Sequence, residues 1–186
     1  LLGQGDVLLG NPYHYRDRRT EGVHEKAFSV VPRERIFQAT GIQFMRINTL
    51  FQLLAMKLEG SPILEAAKTL LFMPDLFNFF LTGQKAVEFT IATRSQMYDP
   101  RAHNWAWELI DSFGFPREIF TDIIQPATIV GSLLKSISRE VDAQEVPVIA
   151  PASHDTGSAI AAVPAASKDF VYISSGTWSL MGVEVD

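Results

Sequence analysis

The chain has 186 residues, of which 47% are hydrophobic and 20% charged, enough for one globular domain or for one domain and the start of a second. A net charge of −5 argues against a nucleic-acid partner, because phosphate binding depends on Lys and Arg, and the absence of Cys excludes disulfides, zinc–thiolate sites and thiol nucleophiles. No apolar run reaches the roughly 20 residues of a membrane span, so we expect a cytoplasmic protein with neither a membrane nor a nucleic-acid partner.

The two ends of the sequence favour an excised segment of a longer protein. The chain begins Leu1-Leu2-Gly3 without Met and stops at Val183–Asp186, inside an apolar run typical of a strand. A complete domain from which a tag or the initiator Met was removed is the alternative.

Helices are predicted for most of the N-terminal half. Residues 1–16 have the pattern of a strand, a turn and a second strand, and residues 21–40 that of two short helices separated at Pro32. Apolar side chains at helical spacing predict a helix over Asn48–Leu58. Pro62 can open the next helix, which extends to Leu71, and a third covers Leu76–Leu81 before a terminating Thr-Gly pair.

The following segments are predicted to be mainly helical. Glu88–Met97 is polar and is interpreted as irregular or as a helix start. Trp105–Phe113 is amphipathic and ends at a glycine, a short helix opens at Pro116, and Leu133–Val141 is weakly helical. Of the two tryptophans in Trp105-Ala-Trp107, only one can face the core, and we expect it to be Trp105.

Strands return near the C-terminus. The short apolar run Val146–Ala150 predicts a buried strand, followed at Ser153–Val163 by a loop that turns into a helix. A connector then leads to two strands, Phe170–Ser174 and Trp178–Val185, joined by Ser-Gly-Thr.

The run Ser153-His154-Asp155-Thr156-Gly157 is the first candidate for chemistry. It follows a strand and precedes a helix, and such loops at the carboxyl ends of strands hold ligands in α/β folds. Asp155 and Thr156 could equally cap the helix. Adjacent Ser, His and Asp do not make a hydrolase triad, which needs convergence from separate positions.

The hairpin tip Ser175-Gly176-Thr177 is the second candidate. Its backbone N–H groups and hydroxyls could bind a phosphate, or it could be an ordinary turn with positive φ at Gly176. It is neither a P-loop nor a dinucleotide-binding glycine motif. A third run, Arg16–Thr20, could grip a polyhydroxyl substrate or form a solvated salt-bridge cluster, and the four His residues show no metal-ligand spacing.

The order of these runs resembles the FGGY carbohydrate kinases over essentially the whole chain. The matching runs are Tyr15–Thr20, Gly41–Phe44, Asn48–Leu53, Leu71–Asp75, Leu81–Gly83, Glu88–Thr90, Ala92-Thr93, Ala152–Thr156 and Ser174–Gly182. Gly157 stands where the family pattern has Ala, a change between two small residues. The last two runs are most similar to the family's kinases of L-rhamnulose.

This resemblance implies an α/β, actin-like (ribonuclease H-like) ATPase fold whose two domains close over a cleft. It also implies transfer of the γ-phosphoryl group of ATP, with Mg²⁺, to a ketose. Asp155 then matches the catalytic general base, His154 and Thr156 its substrate-binding neighbours, and Thr177 with Gly176 the hairpin near the ATP phosphates. One carboxylate within reach of the nucleophile suits phosphoryl transfer, which otherwise depends on positioning and charge neutralisation.

The resemblance further implies that the chain is partial. Residues 1–165 match most of the N-terminal, sugar-binding domain and residues 166–186 the start of the C-terminal domain, with the boundary near Pro164–Lys168. The family's Asp-x-Gly phosphate hairpin and its adenosine-binding region are missing, so we expect these residues alone to be inactive. L-rhamnulose, giving L-rhamnulose 1-phosphate, is the expected substrate. Another ketose such as L-fuculose, or a non-catalytic sugar-binding or regulatory domain, is the alternative, and the oligomeric state is open.

Overall fold

The computed structural model describes residues 1–167 and 169–185. The α-helices of this part are α1 Val23–Val30, α2 Arg33–Thr40, α3 Thr49–Leu58, α4 Pro62–Ala66, α5 Met73–Thr82, α6 Phe89–Thr93, α7 Trp107–Ser112, α8 Lys135–Glu140 and α9 Asp155–Ala161. Short 3-10 turns lie at Gln4–Asp6, Arg18–Thr20 and Arg117–Ile119. None of the described helices is long and apolar enough to cross a membrane.

Within residues 1–167 and 169–185, the strands form four separate two-stranded pairs. They are β1 Val87–Glu88, β2 Tyr98–Asp99, β3 Asn104–Trp105, β4 Ile123–Ile124, β5 Ile129–Ser132, β6 Pro147–Ile149, β7 Val171–Ser175 and β8 Ser179–Val183. β1 pairs with β4 in parallel, whereas β2–β3, β5–β6 and β7–β8 are antiparallel. The predicted α/β class is therefore present, with more of the described residues in helices than in strands.

Local signals in the sequence set the best-predicted helices. Pro32 precedes α2, Asn48 precedes α3, and Gly83 ends α5 in the left-handed conformation at φ 73°. A glycine in this conformation lets the chain leave a helix without a Cβ clash. The predictions of two helices over residues 21–40, of α3 and of α5 are confirmed.

The core lies between α1, α3 and the segments around α7. Leu50, Phe51 and Ile110 are fully buried, and burying a side chain of this size contributes about 1.5–3 kcal/mol. Trp105 is only 3% exposed and its indole N–H donates to the carbonyl of Thr121 at 2.8 Å. The prediction that Trp105 rather than Trp107 faces the core is confirmed.

The first 16 residues do not form the predicted strand–turn–strand. A 3-10 turn occupies Gln4–Asp6, and Leu2 forms only single bridges, to Leu8 and to Thr69. Long-range pairing explains the difference, because the N–H of Leu2 donates to the carbonyl of Thr69 at 2.9 Å. The same contact shortens α4, which ends at Ala66 instead of continuing towards residue 71.

Two further predictions need correction. The helix predicted from Trp105 begins at Trp107, because Asn104 and Trp105 pair with Tyr98–Asp99 instead. The strand β6 exists but is not buried, since Ile149 is 52% exposed. It pairs with β5 along one edge, and α5 lies beside this two-stranded pair. Side chains of β5 and β6 that do not face α5 are therefore left in solvent.

Adding the same methyl group at two glycines should change stability in opposite directions. Gly83→Ala forces a side chain into φ 73° and should cost about 1 kcal/mol. Gly157→Ala lies inside α9, where the new Cβ would be 3.5 Å from Thr90 Cγ2, an ordinary contact, and should stabilise by about 0.5–1 kcal/mol. Urea unfolding of the complete protein measures both changes, and shifts of the same sign would contradict the two backbone assignments.

Candidate active site

Asp155 is the first residue of α9, directly after the loop that follows β6. Its side chain is 97% exposed, and its Oδ1 accepts a hydrogen bond from the N–H of Thr156 at 3.0 Å. The N-cap position belongs to His154, which makes no side-chain capping bond. Asp155 thus stands at the start of the helix with its carboxylate in solvent, rather than in the N-cap position.

His154 lies against the protein beside this carboxylate. Its side chain is 22% exposed and its Nε2 is 3.6 Å from Asp155 Oδ1. Burial lowers the pKa of His154, the positive charge of Arg94 lowers it further, and the charges of Asp155 and Glu88 oppose this shift. A lowered pKa leaves the imidazole mostly neutral at pH 7, so it can both donate and accept hydrogen bonds.

The backbone of this loop is bound to the segment that begins α6. The N–H of Ser153 donates to Glu88 Oε2 at 2.9 Å, and the N–H of His154 donates to Thr90 Oγ1 at 3.0 Å. The hydroxyl of Thr90 in turn donates to Glu88 Oε2 at 2.6 Å. Two side chains 65 and 64 positions away along the chain therefore hold the two residues that precede Asp155.

Glu88 is the residue that the sequence reasoning missed. It is fully buried and also caps α6, accepting from the N–H of Thr90 at 2.8 Å and of Ile91 at 3.3 Å. An acidic residue directly before a short helix is a recognisable capping signal. That signal indicates the bonds to α6, whereas the bond to Ser153 depends on tertiary structure.

A second carboxyl group lies behind Glu88. Asp75 is 1% exposed, its Oδ1 accepts from the N–H of Glu88 at 3.1 Å, and its Oδ2 is buried without a hydrogen-bond partner among the described residues. Burial raises the pKa of Asp75 to about 7; the Glu88 charge adds to this shift, while the N–H groups of Glu88 and Phe72 oppose it.

The predicted hairpin is present, with Gly176 and Thr177 between β7 and β8, but Ser175 is the last residue of β7 and pairs with Ser179 instead of lying at the tip. Thr177 and Gly176 are exposed, and the N–H of Gly176 donates to the carbonyl of Trp178 at 2.9 Å. The φ of Gly176 is not positive, so the expectation of a positive-φ glycine turn is wrong. Helix α9 packs beside β7, but no hydrogen bond joins Thr177 to Asp155.

The Arg16–Thr20 run lies at a different place, beside a cavity of about 560 Å³. The guanidinium of Arg19 stacks 3.9 Å from the ring centre of Tyr13 and donates to Gln52 Oε1 at 2.9 Å. Asp17 accepts from the N–H of Arg19 at 2.8 Å. Among the described residues no ion pair forms within the run, so the salt-bridge cluster, one of the two alternatives for this run, is not formed. The described residues that line this cavity include none from residues 88–90 or 153–157.

Comparison with known sequences gives the family. The sequence model of the FGGY family of carbohydrate kinases, N-terminal domain, matches residues 1–162. The chain belongs to this family. An FGGY assignment agrees with the ordered runs in the sequence.

Relatives with high identity cover the whole chain. Rhamnulokinase of Oceanobacillus iheyensis is 43% identical over 184 residues, which are 99% of this chain and 39% of that protein. Rhamnulokinase of Bacteroides thetaiotaomicron is 44% identical over 186 residues, which are 100% of this chain and 38% of that protein. The chain therefore spans about two fifths of the length of these curated relatives.

Solved FGGY kinases share the fold. The ligand-bound xylulose kinase of Lactobacillus acidophilus superposes with a TM-score of 0.74 at 20% identity, covering 81% of this chain and 31% of that one. A carbohydrate kinase of Novosphingobium aromaticivorans gives a TM-score of 0.71 at 25% identity, covering 87% of this chain and 35% of that one. The expected actin-like fold, present here in part, is confirmed.

The buried Asp75 predicts a pH dependence of stability. With its pKa raised to about 7, the native state keeps a proton that the unfolded chain has already released. The free energy of unfolding should then fall as pH rises from about 5 to 7, by up to about 1.4 kcal/mol per pH unit. Asp75→Asn keeps an oxygen for the N–H of Glu88 and should remove this slope.

Urea unfolding of the complete protein at several pH values, with and without the Asp75→Asn change, measures the difference. Parallel pH profiles for the two proteins would show that Asp75 does not hold its proton in the native state.

Proposed function

We propose that the complete protein transfers the γ-phosphoryl group of ATP to L-rhamnulose and produces L-rhamnulose 1-phosphate. The observation that carries this proposal is the 43–44% identity, over essentially the whole chain, to proteins named rhamnulokinase. Membership of the FGGY carbohydrate kinases supports the broader class, a phosphotransferase acting on a sugar.

Asp155 is the proposed general base. Its exposed carboxylate at the start of α9 can accept the proton of a sugar hydroxyl bound within hydrogen-bond reach. Removal of that proton makes the oxygen a better nucleophile towards the phosphorus atom. The backbone bonds at Ser153 and His154 support this role, because they fix the chain immediately before the carboxylate.

His154 and Thr156 are the proposed sugar-binding neighbours of this base. A neutral imidazole, favoured by the lowered pKa of His154, suits sugar hydroxyls because each hydroxyl can donate and accept. Thr156 follows Asp155 in the first turn of α9 and adds a hydroxyl of the same kind.

ATP is the proposed phosphoryl donor, with its phosphates near Gly176 and Thr177. The exposure of this hairpin tip and its position on β7–β8, next to α9, support the assignment. Thr177 contributes a hydroxyl, whereas the N–H of Gly176 is engaged with Trp178 in this structure. We propose Mg²⁺ as the companion of ATP in the complete protein.

The described residues do not offer a metal site of their own. They contain no group of three or more His, Cys, Asp or Glu side chains arranged to hold an ion. We therefore assign no ligand for Mg²⁺ in this chain and no catalytic step to it.

Two domains are proposed for the chain, 1–165 as most of the sugar-binding domain and 166–186 as the start of the second. The end of the family match at residue 162 supports a boundary at this point, before β7. Lys168, at the edge of the proposed connector, lies outside the described residues, as does Asp186. A cytoplasmic location is proposed on the absence of Cys.

Replacing Asp155 by Asn tests the proposed base. The amide keeps the size of the side chain but does not take up the proton, so kcat should fall by about 10²–10⁴-fold. L-rhamnulose should still bind, since the neighbouring hydrogen-bonding groups remain. Coupled assays of ADP release measure turnover, and calorimetric titration measures sugar binding.

Asp142→Asn provides a matched control, because Asp142 is an exposed aspartate outside the loop and should leave kcat unchanged. Turnover of Asp155→Asn close to that of the control would refute the general-base assignment. Running the assay with L-fuculose and other ketoses decides the substrate, and a preference for one of these would replace L-rhamnulose in the proposal.

A further inference from the structure

We propose that Glu88 and Thr90 are positioning residues for the reaction, and that together they set where the carboxylate of Asp155 stands. We call these two side chains the Glu88–Thr90 clamp. The inference rests on the proposed function, because it assigns a role in the step that Asp155 performs. Neither side chain needs to touch the substrate for this role.

The clamp holds two consecutive backbone amides. Ser153 donates to Glu88 Oε2 at 2.9 Å and His154 donates to Thr90 Oγ1 at 3.0 Å. The clamp is closed by the 2.6 Å bond from the Thr90 hydroxyl to the same Glu88 oxygen. Fixing two adjacent amides restrains the peptide planes that lead into Asp155, and therefore the position of its Cα.

The direction of these bonds is determined by chemistry. A backbone N–H can only donate, so Thr90 Oγ1 must accept from His154 and use its single proton elsewhere. That proton points to Glu88, whose carboxylate offers acceptor oxygens and also receives the N–H of Ser153. Valine at position 90 would have the shape of threonine without either bond.

Capping of α6 alone does not account for this arrangement. The bonds from the N–H groups of Thr90 and Ile91 to Glu88 already complete the cap. The bonds to Ser153 and His154 reach 65 and 64 positions along the chain and add no capping. They connect the start of α6 to the start of α9, where the proposed base lies.

Burial strengthens the clamp at Glu88, on the side away from the exposed carboxylate of Asp155. Glu88 is fully buried, whereas the Asp155 side chain is 97% exposed. Hydrogen bonds to a carboxylate are stronger than neutral ones, more so away from water. The methyl group of Thr90 also faces Gly157, at 3.5 Å from where a Cβ would stand, so Thr90 lies beside the first turn of α9.

The test compares Thr90→Val with Thr90→Ser in the complete protein. Valine keeps the shape but removes both hydroxyl bonds, and should lower kcat for L-rhamnulose about tenfold with the KM for ATP unchanged. Serine keeps the hydroxyl, loses the methyl group, and should stay within about threefold of wild type. Rescue by serine separates positioning from simple packing, for which the methyl group would matter more.

Two further measurements keep the test decisive. Glu88→Gln removes the negative charge and replaces one acceptor oxygen by an NH₂ group, which cannot accept the hydrogen bonds that this oxygen receives. It should therefore lower kcat at least as much as Thr90→Val. Should this variant fail to fold, the Thr90 pair decides alone. Amide hydrogen exchange at Ser153 and His154 should be faster in Thr90→Val than in Thr90→Ser, which reports the clamp without reference to activity.

Equal kcat values and equal exchange rates for Thr90→Val and Thr90→Ser would overturn the inference. So would a loss of kcat in both variants, because the hydroxyl would then not be the relevant group. A wild-type protein that phosphorylates no ketose refutes the proposed function, and with it the catalytic role of the clamp. The exchange rates still decide whether the clamp holds the loop, so the two failures are distinguishable.

Discussion

The buried carboxylate of Glu88 is the contact on which the candidate site depends. It accepts four hydrogen bonds, two from N–H groups of α6, one from the Thr90 hydroxyl and one from Ser153. Burying one carboxylate costs several kcal/mol, and bonds to a charged acceptor contribute about 1.5–3 kcal/mol each. Together, four such bonds are of the size needed to offset this penalty, and each lost bond reduces the compensation. The start of α6 and the loop before Asp155 therefore stabilise each other through this carboxylate.

This shared carboxylate bears on how a short, exposed helix can hold Asp155, the proposed base, in place. Helix α9 has seven residues, and His154 at its N-cap makes no side-chain cap. A helix this short has little stability of its own, because nucleation is costly and few backbone bonds follow. The chain that leads into its first turn is instead held from outside, through the amides of Ser153 and His154. The backbone just before Asp155 is thus held by hydrogen bonds to Glu88 and Thr90 on the buried side of the fold.

Features that depend on neighbouring residues could be predicted from the sequence, whereas contacts between residues far apart in the chain could not. The start of α2 after Pro32 and the end of α5 at Gly83 depend on the backbone conformations that these single residues favour, so the local sequence predicts them. The loop between β6 and α9 and the hairpin around Thr177 are also present as predicted, because an apolar run next to a polar run is visible in the local sequence. The pairing of Leu2 with Thr69 and the reach of Glu88 to Ser153 join distant segments, and no local pattern records them. Because such long-range contacts could not be predicted, the first strand pair was predicted wrongly and the proposed positioning residues were not identified.

Two carboxyl groups in one buried region raise the question of how the fold tolerates both. Glu88 accepts four hydrogen bonds, whereas Asp75 accepts from the N–H of Glu88 at Oδ1 and its Oδ2 has no hydrogen-bond partner among the described residues. Ionising both carboxyl groups would place two negative charges close together at low dielectric. Asp75, which has fewer hydrogen-bond donors, is therefore the one that keeps its proton to higher pH. The pKa of Asp75, raised to about 7 by burial and by the charge of Glu88, follows from this asymmetry. A neutral Asp75 still accepts from the N–H of Glu88 and anchors the clamp from behind. Below pH 7 the arrangement therefore keeps Asp75 mostly neutral and avoids the repulsion that a second negative charge beside Glu88 would add.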